Sequence, residues 1–294
     1  VFCKTGTGGP LKSDTTRVPK SAWKSCGGSG PLLHFAHANG IPCGTYSQFM
    51  QVLSKEFTVH SMEARPMWPD SKVIPVPAWE PLVQDLRLGL RERDMAGCIG
   101  VGHSLGAVCS MLASVREPGL FKALVLIDPV LFNGFRQHYW HLLQVAGLMD
   151  RIPLVKNAQR RRNYWPTVED ARDSYMCKPF FRSWAPGCMD DYLKHGLTQD
   201  GSGFKLRYPP AWEAEIFKYT PANLWKQIAQ VKVPTMILRG QTSDTLTKSA
   251  AKRAAKSMAN GVTMDVPGTG HMLPVQQPQM VAKLVIDFLK SLDL

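Results

Sequence analysis

The sequence is poor in the features that would settle a function class at sight. No apolar run approaches the roughly 20 residues that a membrane-spanning helix needs, so stable membrane insertion is not expected. The seven cysteines (Cys3, Cys26, Cys43, Cys98, Cys109, Cys177 and Cys188) are odd in number and contain no Cys-x-x-Cys pair. That spacing speaks against a zinc site and a disulfide framework, and suits a reducing, cytoplasmic setting. No His/Cys/Asp cluster has metal-ligand spacing, so neither a metal nor another cofactor is expected. Gly6-Thr7-Gly8-Gly9 has the look of a phosphate loop. It lacks both the Gly-Lys-Ser/Thr ending and a preceding strand, and reads as a turn. No secretory apolar region opens the chain, although it begins at Val1 rather than Met, which leaves a removed targeting segment open.

Acidic residues are also in short supply. Lys and Arg number 35 against 23 Asp and Glu, a formal net charge of +12. No nucleic-acid motif accompanies this excess, and the charge is scattered. The exceptions are the run Arg160-Arg161-Arg162 and a set on one predicted helix, Lys248, Lys252, Arg253 and Lys256. Most of the charge is read as solvated surface, with a leaning towards anionic substrates or surfaces.

What is present is core-forming sequence organised around one stretch. The 294 residues are 44% hydrophobic, enough for one large core or a core plus a smaller module. Cys98-Ile99-Gly100-Val101 is a short apolar run that meets Gly102-His103-Ser104-Leu105-Gly106, and a small-residue helical pattern follows from Ala107. A Gly-x-Ser-x-Gly in a loop is common by chance. Between a strand and a helix it is the setting of a nucleophile elbow. The serine at such a bend takes a strained backbone, and the flanking glycines let neighbouring backbone close in. The helix N-terminus behind it favours developing negative charge.

Along the chain, strands and helices alternate. Strand patterns fall at 32–37, 58–63, 98–101, 123–128, 234–240 and 262–266, and weaker strand signals lie near Phe2-Cys3 and Ala22-Trp23. Helical patterns fall at 45–57, 82–94, 107–114, 248–258 and 276–292. Apolar strands alternating with helices predict a mostly parallel sheet covered on both faces. Residues 129–232 differ: they hold 17 of the chain's 27 aromatics, with helical periodicity and no convincing strand. Thr167-Val168-Glu169-Asp170 within them resembles a helix N-cap. The expectation is a core formed by 1–128 and 233–294, with a helical cap inserted at 129–232. Most cap aromatics should form the cap's own core, with some facing the sheet edge.

Three residues then come in the order nucleophile, acid, histidine, each past the end of a predicted strand: Ser104, Asp244 and His271. A serine hydroxyl needs a base to take its proton, and the base needs a carboxylate to fix its tautomer. Open α/β sheets bind ligands at the carboxyl ends of their strands, so these loops can converge. Asp128 also ends a strand and ranks second as the acid; it reads as a structural residue beside Pro129, because it could reach the histidine only from the side of the elbow strand.

With Gly102-His103-Ser104-Leu105-Gly106, His37-Ala38-Asn39-Gly40, Gly240-Gln241-Thr242-Ser243-Asp244 and Gly270-His271, the chain resembles the α/β-hydrolase superfamily over roughly 20–294. The likeness is to its cap-bearing esterase and carbon–carbon hydrolase-like members. It implies an α/β-hydrolase fold with an inserted cap, a Ser-His-Asp triad and an oxyanion hole built from the Leu105 and Asn39 amides. It departs from the family pattern at His37-Ala38, where the family usually has His-Gly. His37 is expected to shape that loop through hydrogen bonds, and His34 to be a core residue. The serine excludes superfamily branches that attack with aspartate. The leading expectation is a serine hydrolase acting on a carboxylic ester or related small acyl substrate through an acyl-enzyme. Carbon–carbon, thioester or lactone hydrolysis, and a ligand-binding receptor on the same scaffold, remain as alternatives. Nucleic acid is not an expected partner, and oligomeric state is not legible.

Overall fold

The computed structural model describes residues 17–294. Gly6-Thr7-Gly8-Gly9 and Cys3 lie outside the described residues. Seven strands form the main sheet: β1 (Trp23–Gly27), β2 (Leu32–Ala36), β3 (Thr58–Met62), β4 (Cys98–His103), β5 (Phe121–Ile127), and, past the 129–232 segment, two more running Thr235–Gly240 and Gly261–Val266. Three short strands inside that segment take the labels β6 (Tyr164–Trp165), β7 (Leu197–Asp200) and β8 (Gly203–Leu206), so the last two of the main sheet are β9 and β10. The sheet order is β1-β3-β2-β4-β5-β9-β10. Only the β1–β3 pair is antiparallel.

The central strands are apolar on both faces because both faces are covered. Leu124, Leu126 and Ile237 point into one core layer with Leu82, Leu86 and Leu90 of α2 (Glu80–Glu92). Val125, Ile127, Met236 and Leu238 point into the other, with Phe49, Met50 and Leu53 of α1 (Ser47–Leu53). The first layer also takes α3 (Leu105–Arg116).

Between β5 and β9 run seven α-helices of the described residues: α4 (Gly134–Val145), α5 (Pro153–Gln159), α6 (Val168–Met176), α7 (Pro179–Arg182), α8 (Cys188–Gly196), α9 (Pro210–Lys218) and α10 (Trp225–Ile228). None of the main-sheet strands falls within 129–232. The expectation of no strand there needs correction, since β6, β8 and β7 form a small antiparallel sheet. These strands are two to four residues long, too short for an alternating pattern to register in the sequence. The N-cap at Thr167 is a full capping box with Asp170. Trp165, Tyr175, Phe181, Trp184 and Tyr192 pack together, with neighbouring ring centroids 4.8–5.7 Å apart.

Polar contacts join this segment to the sheet. Buried Glu63, just past β3, accepts from the Arg207 guanidinium at 3.0 and 3.2 Å. The Trp79 indole N–H donates to the Ile216 carbonyl at 2.8 Å. The chain then closes with α11 (Lys248–Ser257), α12 (Leu273–Gln276) and α13 (Pro278–Lys290). Among the described residues, no helix is long and apolar enough to cross a membrane.

Candidate active site

Ser104 sits where the pattern at 98–106 places it, at the bend between β4 and α3. Its φ of 55° and ψ of −113° are strained for a residue with a side chain. The bend is tight enough to demand glycine on both sides. A Cβ on Gly102 would lie 2.5 Å from the Gly106 carbonyl, and one on Gly106 would lie 2.2 Å from the Ala36 oxygen. The Ser104 N–H donates to the Ile127 carbonyl at 2.9 Å, which seats the elbow against the end of β5.

The Ser104 hydroxyl lies 3.0 Å from Nε2 of His271. Nδ1 of the same imidazole lies 2.8 Å from Oδ2 of Asp128. A carboxylate only accepts, so Nδ1 carries the proton and Nε2 is left to accept from the serine. Asp128 is fully buried and is held by two further donors: the Gly240 N–H at 2.9 Å and the Ser243 hydroxyl at 2.5 Å. It takes a φ of 42°, an uncommon conformation for a non-glycine residue, and its own N–H donates to Leu238 O at 2.7 Å.

The expectation that Asp244 partners His271 is therefore corrected. The physical reason is strand order. β5 lies between β4 and β9, so its carboxyl end sits between the elbow and the 241–246 loop, and the His271 loop folds back over it. Arg239 pins that loop, donating to the Gln241 carbonyl at 3.0 Å and to the Leu246 carbonyl at 2.7 Å. Asp244 rides exposed at its tip, where its main-chain oxygen accepts from Arg136 at 2.8 Å. The loop contributes Ser243 to the acid instead of the acid itself.

A second hydrogen-bond chain supports the first. His103, inside the Gly-His-Ser-Leu-Gly stretch, is fully buried. Its Nε2 lies 2.8 Å from the His271 carbonyl and its Nδ1 2.8 Å from the Tyr46 hydroxyl. The carbonyl can only accept, so Nε2 bears the proton and Nδ1 accepts from Tyr46. The Tyr46 oxygen in turn accepts from the Ala38 N–H at 3.3 Å. Burial, and then the nearness of His271, hold the His103 imidazole well below the ordinary histidine range, so it stays neutral. The chain thus ties the 37–40 loop, the elbow and the backbone of His271 together. His103 was visible in the motif, but nothing in the sequence showed its partners.

The 37–40 loop is built to hold backbone. His37 donates from Nδ1 to the Ala38 carbonyl at 2.8 Å and accepts at Nε2 from the Ala64 N–H at 2.9 Å. Ala38 N–H is engaged with Tyr46, whereas among the described residues the N–H groups of Asn39 and Leu105 have no protein acceptor. The Asn39 side chain is fixed from above: it donates to the Glu213 carbonyl at 3.0 Å and accepts from the Tyr208 hydroxyl at 2.8 Å. Glu213 is itself paired with Arg161 at 2.5 Å.

Asn39, Ser104, Leu105 and His271 all line a cavity of about 850 Å³. Trp79, Phe132, Trp140, Phe180, Phe181 and Phe217 supply much of its wall, beside polar and charged residues that include Arg136, Lys178 and Asp244. Such a volume lies in the upper part of the usual range for small-molecule pockets, about 300–1,000 Å³. Among the described residues, no group of three His, Cys, Asp or Glu side chains could hold a metal ion.

The comparisons agree on the family of the chain. The family model described as alpha/beta hydrolase family matches residues 35–284. The chain is 37% identical over 195 residues to Monoacylglycerol lipase ABHD6 of Homo sapiens, which covers 65% of this chain and 54% of that protein. It thus spans about half the length of that relative. It is 24% identical over 235 residues to Abhydrolase domain-containing protein AFT2-1 of Alternaria alternata, covering 66% of this chain and 83% of the other. Among solved structures, E-2-(acetamidomethylene)succinate hydrolase superposes with a TM-score of 0.78 at 20% identity, covering 91% of this chain and 94% of that one. That likeness is one of fold.

Proposed function

This chain belongs to the α/β-hydrolase family, and we propose that within it the protein is a serine hydrolase cleaving a carboxylic ester or related acyl compound. The observation that carries this reading is the line Ser104 Oγ–His271 Nε2 at 3.0 Å and His271 Nδ1–Asp128 Oδ2 at 2.8 Å, opening on a large cavity walled in part by aromatic side chains.

In the proposed cycle His271 Nε2 takes the Ser104 proton as Oγ attacks the substrate carbonyl. Asp128 keeps the imidazole in the tautomer that can accept, and steadies the imidazolium that forms. The free N–H groups of Asn39 and Leu105 accept the oxyanion at the N-terminal end of α3. The protonated imidazole then gives its proton to the leaving group, and a water activated by the same base releases the acid from the acyl-enzyme. The 129–232 segment acts as a lid: Phe132, Trp140, Phe180 and Phe217 roof the cavity and receive the apolar part of the substrate. Similarity to a monoacylglycerol lipase supports an ester with an extended acyl chain.

The test is covalent labelling with a fluorophosphonate, followed by a chain-length series of aryl esters. The wild type should be labelled once, and Ser104→Ala should keep its circular dichroism while losing the label and about 10⁴–10⁶ of kcat. Ester turnover surviving in Ser104→Ala would move the chemistry elsewhere.

A further inference from the structure

The outer face of α4 presents apolar side chains to solvent. None of this helix's 12 residues is buried. Phe135 is 81% exposed, Val145 73%, Leu142 63% and Tyr139 50%. At about 100° per residue, Phe135, Tyr139 and Leu142 share one narrow arc, with Val145 at its flank. The side turned to the protein carries polar groups. Gln144 donates to the Thr220 carbonyl at 2.6 Å, and Gln137 accepts from the Trp225 indole N–H at 2.8 Å. A helix packed on a soluble core has the opposite arrangement. Outward apolar stripes of this kind mark interaction surfaces.

Charge identifies the occupant. Between Asp128 and Glu169 the sequence has one acidic residue, Asp150, against six basic ones: Arg136, Arg151, Lys156, Arg160, Arg161 and Arg162. Asp150 is neutralised by Lys218 at 3.1 Å, and Arg161 by Glu213. The other five basic residues have no ion pair among the described residues and are exposed. This stretch of chain thus combines exposed apolar side chains with unpaired cations and a single acidic residue, a composition that matches a bilayer interface carrying anionic headgroups. Arg136 and Trp140, on the same helix, line the cavity, as does half-exposed Leu154. The helix that carries the stripe therefore also forms part of the cavity wall.

We propose that the α4 face docks on anionic lipid surfaces, seating Phe135, Tyr139, Leu142 and Val145 among the acyl chains and placing the cavity mouth at the membrane. A substrate dissolved in the bilayer would then enter without crossing water. The docking does not depend on the hydrolytic reading, so the two are tested separately.

The experiment is cosedimentation of the full chain with phosphatidylcholine vesicles, with and without phosphatidylserine. Binding should be stronger to the anionic vesicles and should weaken as salt is raised. The exposed double variant Phe135→Glu/Leu142→Glu should lose binding by about tenfold or more, with unchanged circular dichroism and unchanged fluorophosphonate labelling. Vesicle binding indifferent to this variant, or no vesicle binding at all, would overturn the proposal. So would a wild-type dimer in analytical ultracentrifugation that the variant converts to monomer, because the stripe would then be a self-association surface.

Discussion

A carboxylate shut away from water is tolerable when its oxygens are hydrogen-bonded, and Asp128 has the Gly240 amide, the Ser243 hydroxyl and the His271 imidazole for that purpose. Replacing it by Asn keeps the shape, removes the charge and favours the wrong histidine tautomer. Asp128→Asn should lower kcat by about 10⁴-fold, the cost in a comparable triad. Asp244→Asn should cost less than about tenfold, because among the described residues its side chain hydrogen-bonds to Thr245 and not to Ser104 or His271. Steady-state kinetics on one aryl ester checks both, and the opposite ranking would return the acid to Asp244. The Tyr46–His103 link is a positioning contact. Tyr46→Phe removes the donor to His103 and the acceptor of the Ala38 N–H, a loss of about 1–3 kcal/mol. If the link aligns the elbow with the 37–40 loop, kcat should fall with KM nearly unchanged. A change confined to KM or to stability would reduce it to a structural contact.

At the scale of elements, the site is a meeting of strand ends held by close backbone contact. Gly106 lets α3 approach β2, and Gly240 lets β9 approach the loop of His271, where an added Cβ would lie 2.1 Å from the Gly270 oxygen. The 129–232 segment enters through α9, whose Glu213 carbonyl holds Asn39 while its carboxylate is held by Arg161. The Arg161 and Glu213 side chains are 14% and 13% exposed. Arg161→Met would strand Glu213 without its partner and should destabilise the fold by about 3 kcal/mol, the lower end for a broken buried pair. Urea denaturation reads this. Adding Glu213→Gln should recover part of the loss, as expected for groups that interact directly. A simply additive double variant would show that the pair carries no coupling.

For the whole molecule, three neutral histidines buried in the core link stability to pH. Burial pushes His34 down to about 3, and also lowers His37 and His103. Among the described residues, His34 has no hydrogen-bond partner for either ring nitrogen, and it packs edge-on against Trp23. The unfolded chain protonates these groups below about pH 6.5 while the folded chain does not, so it binds more protons as pH falls. Their contribution is complete above that pH and is lost progressively below it, by up to about 1.4 kcal/mol per pH unit for each histidine. His34→Phe should flatten the fall in urea-unfolding free energy between about pH 6.5 and 5 by one such increment. An unchanged slope would mean that His34 becomes protonated in the folded state.

The sequence by itself determined the strand–helix alternation, the elbow at Ser104 and the loop that carries His271. Each of these rests on local physics: a period of two or 3.6 residues, a bend that needs glycine on both sides, a short loop after a strand. It also marked 129–232 as different through aromatic density, while the strands inside it were too short to register. The acid was a matter for tertiary structure. Asp128 and Asp244 both follow apolar strands, and no local signal separates them. Strand order decides, by setting β5 between β4 and β9 and turning the 241–246 loop so that Ser243 points inward and Asp244 outward. The Tyr46–His103–His271 chain and the outward apolar face of α4 were hidden for the same reason. A period shows that a helix has a stripe, and packing alone decides which side of it meets the protein.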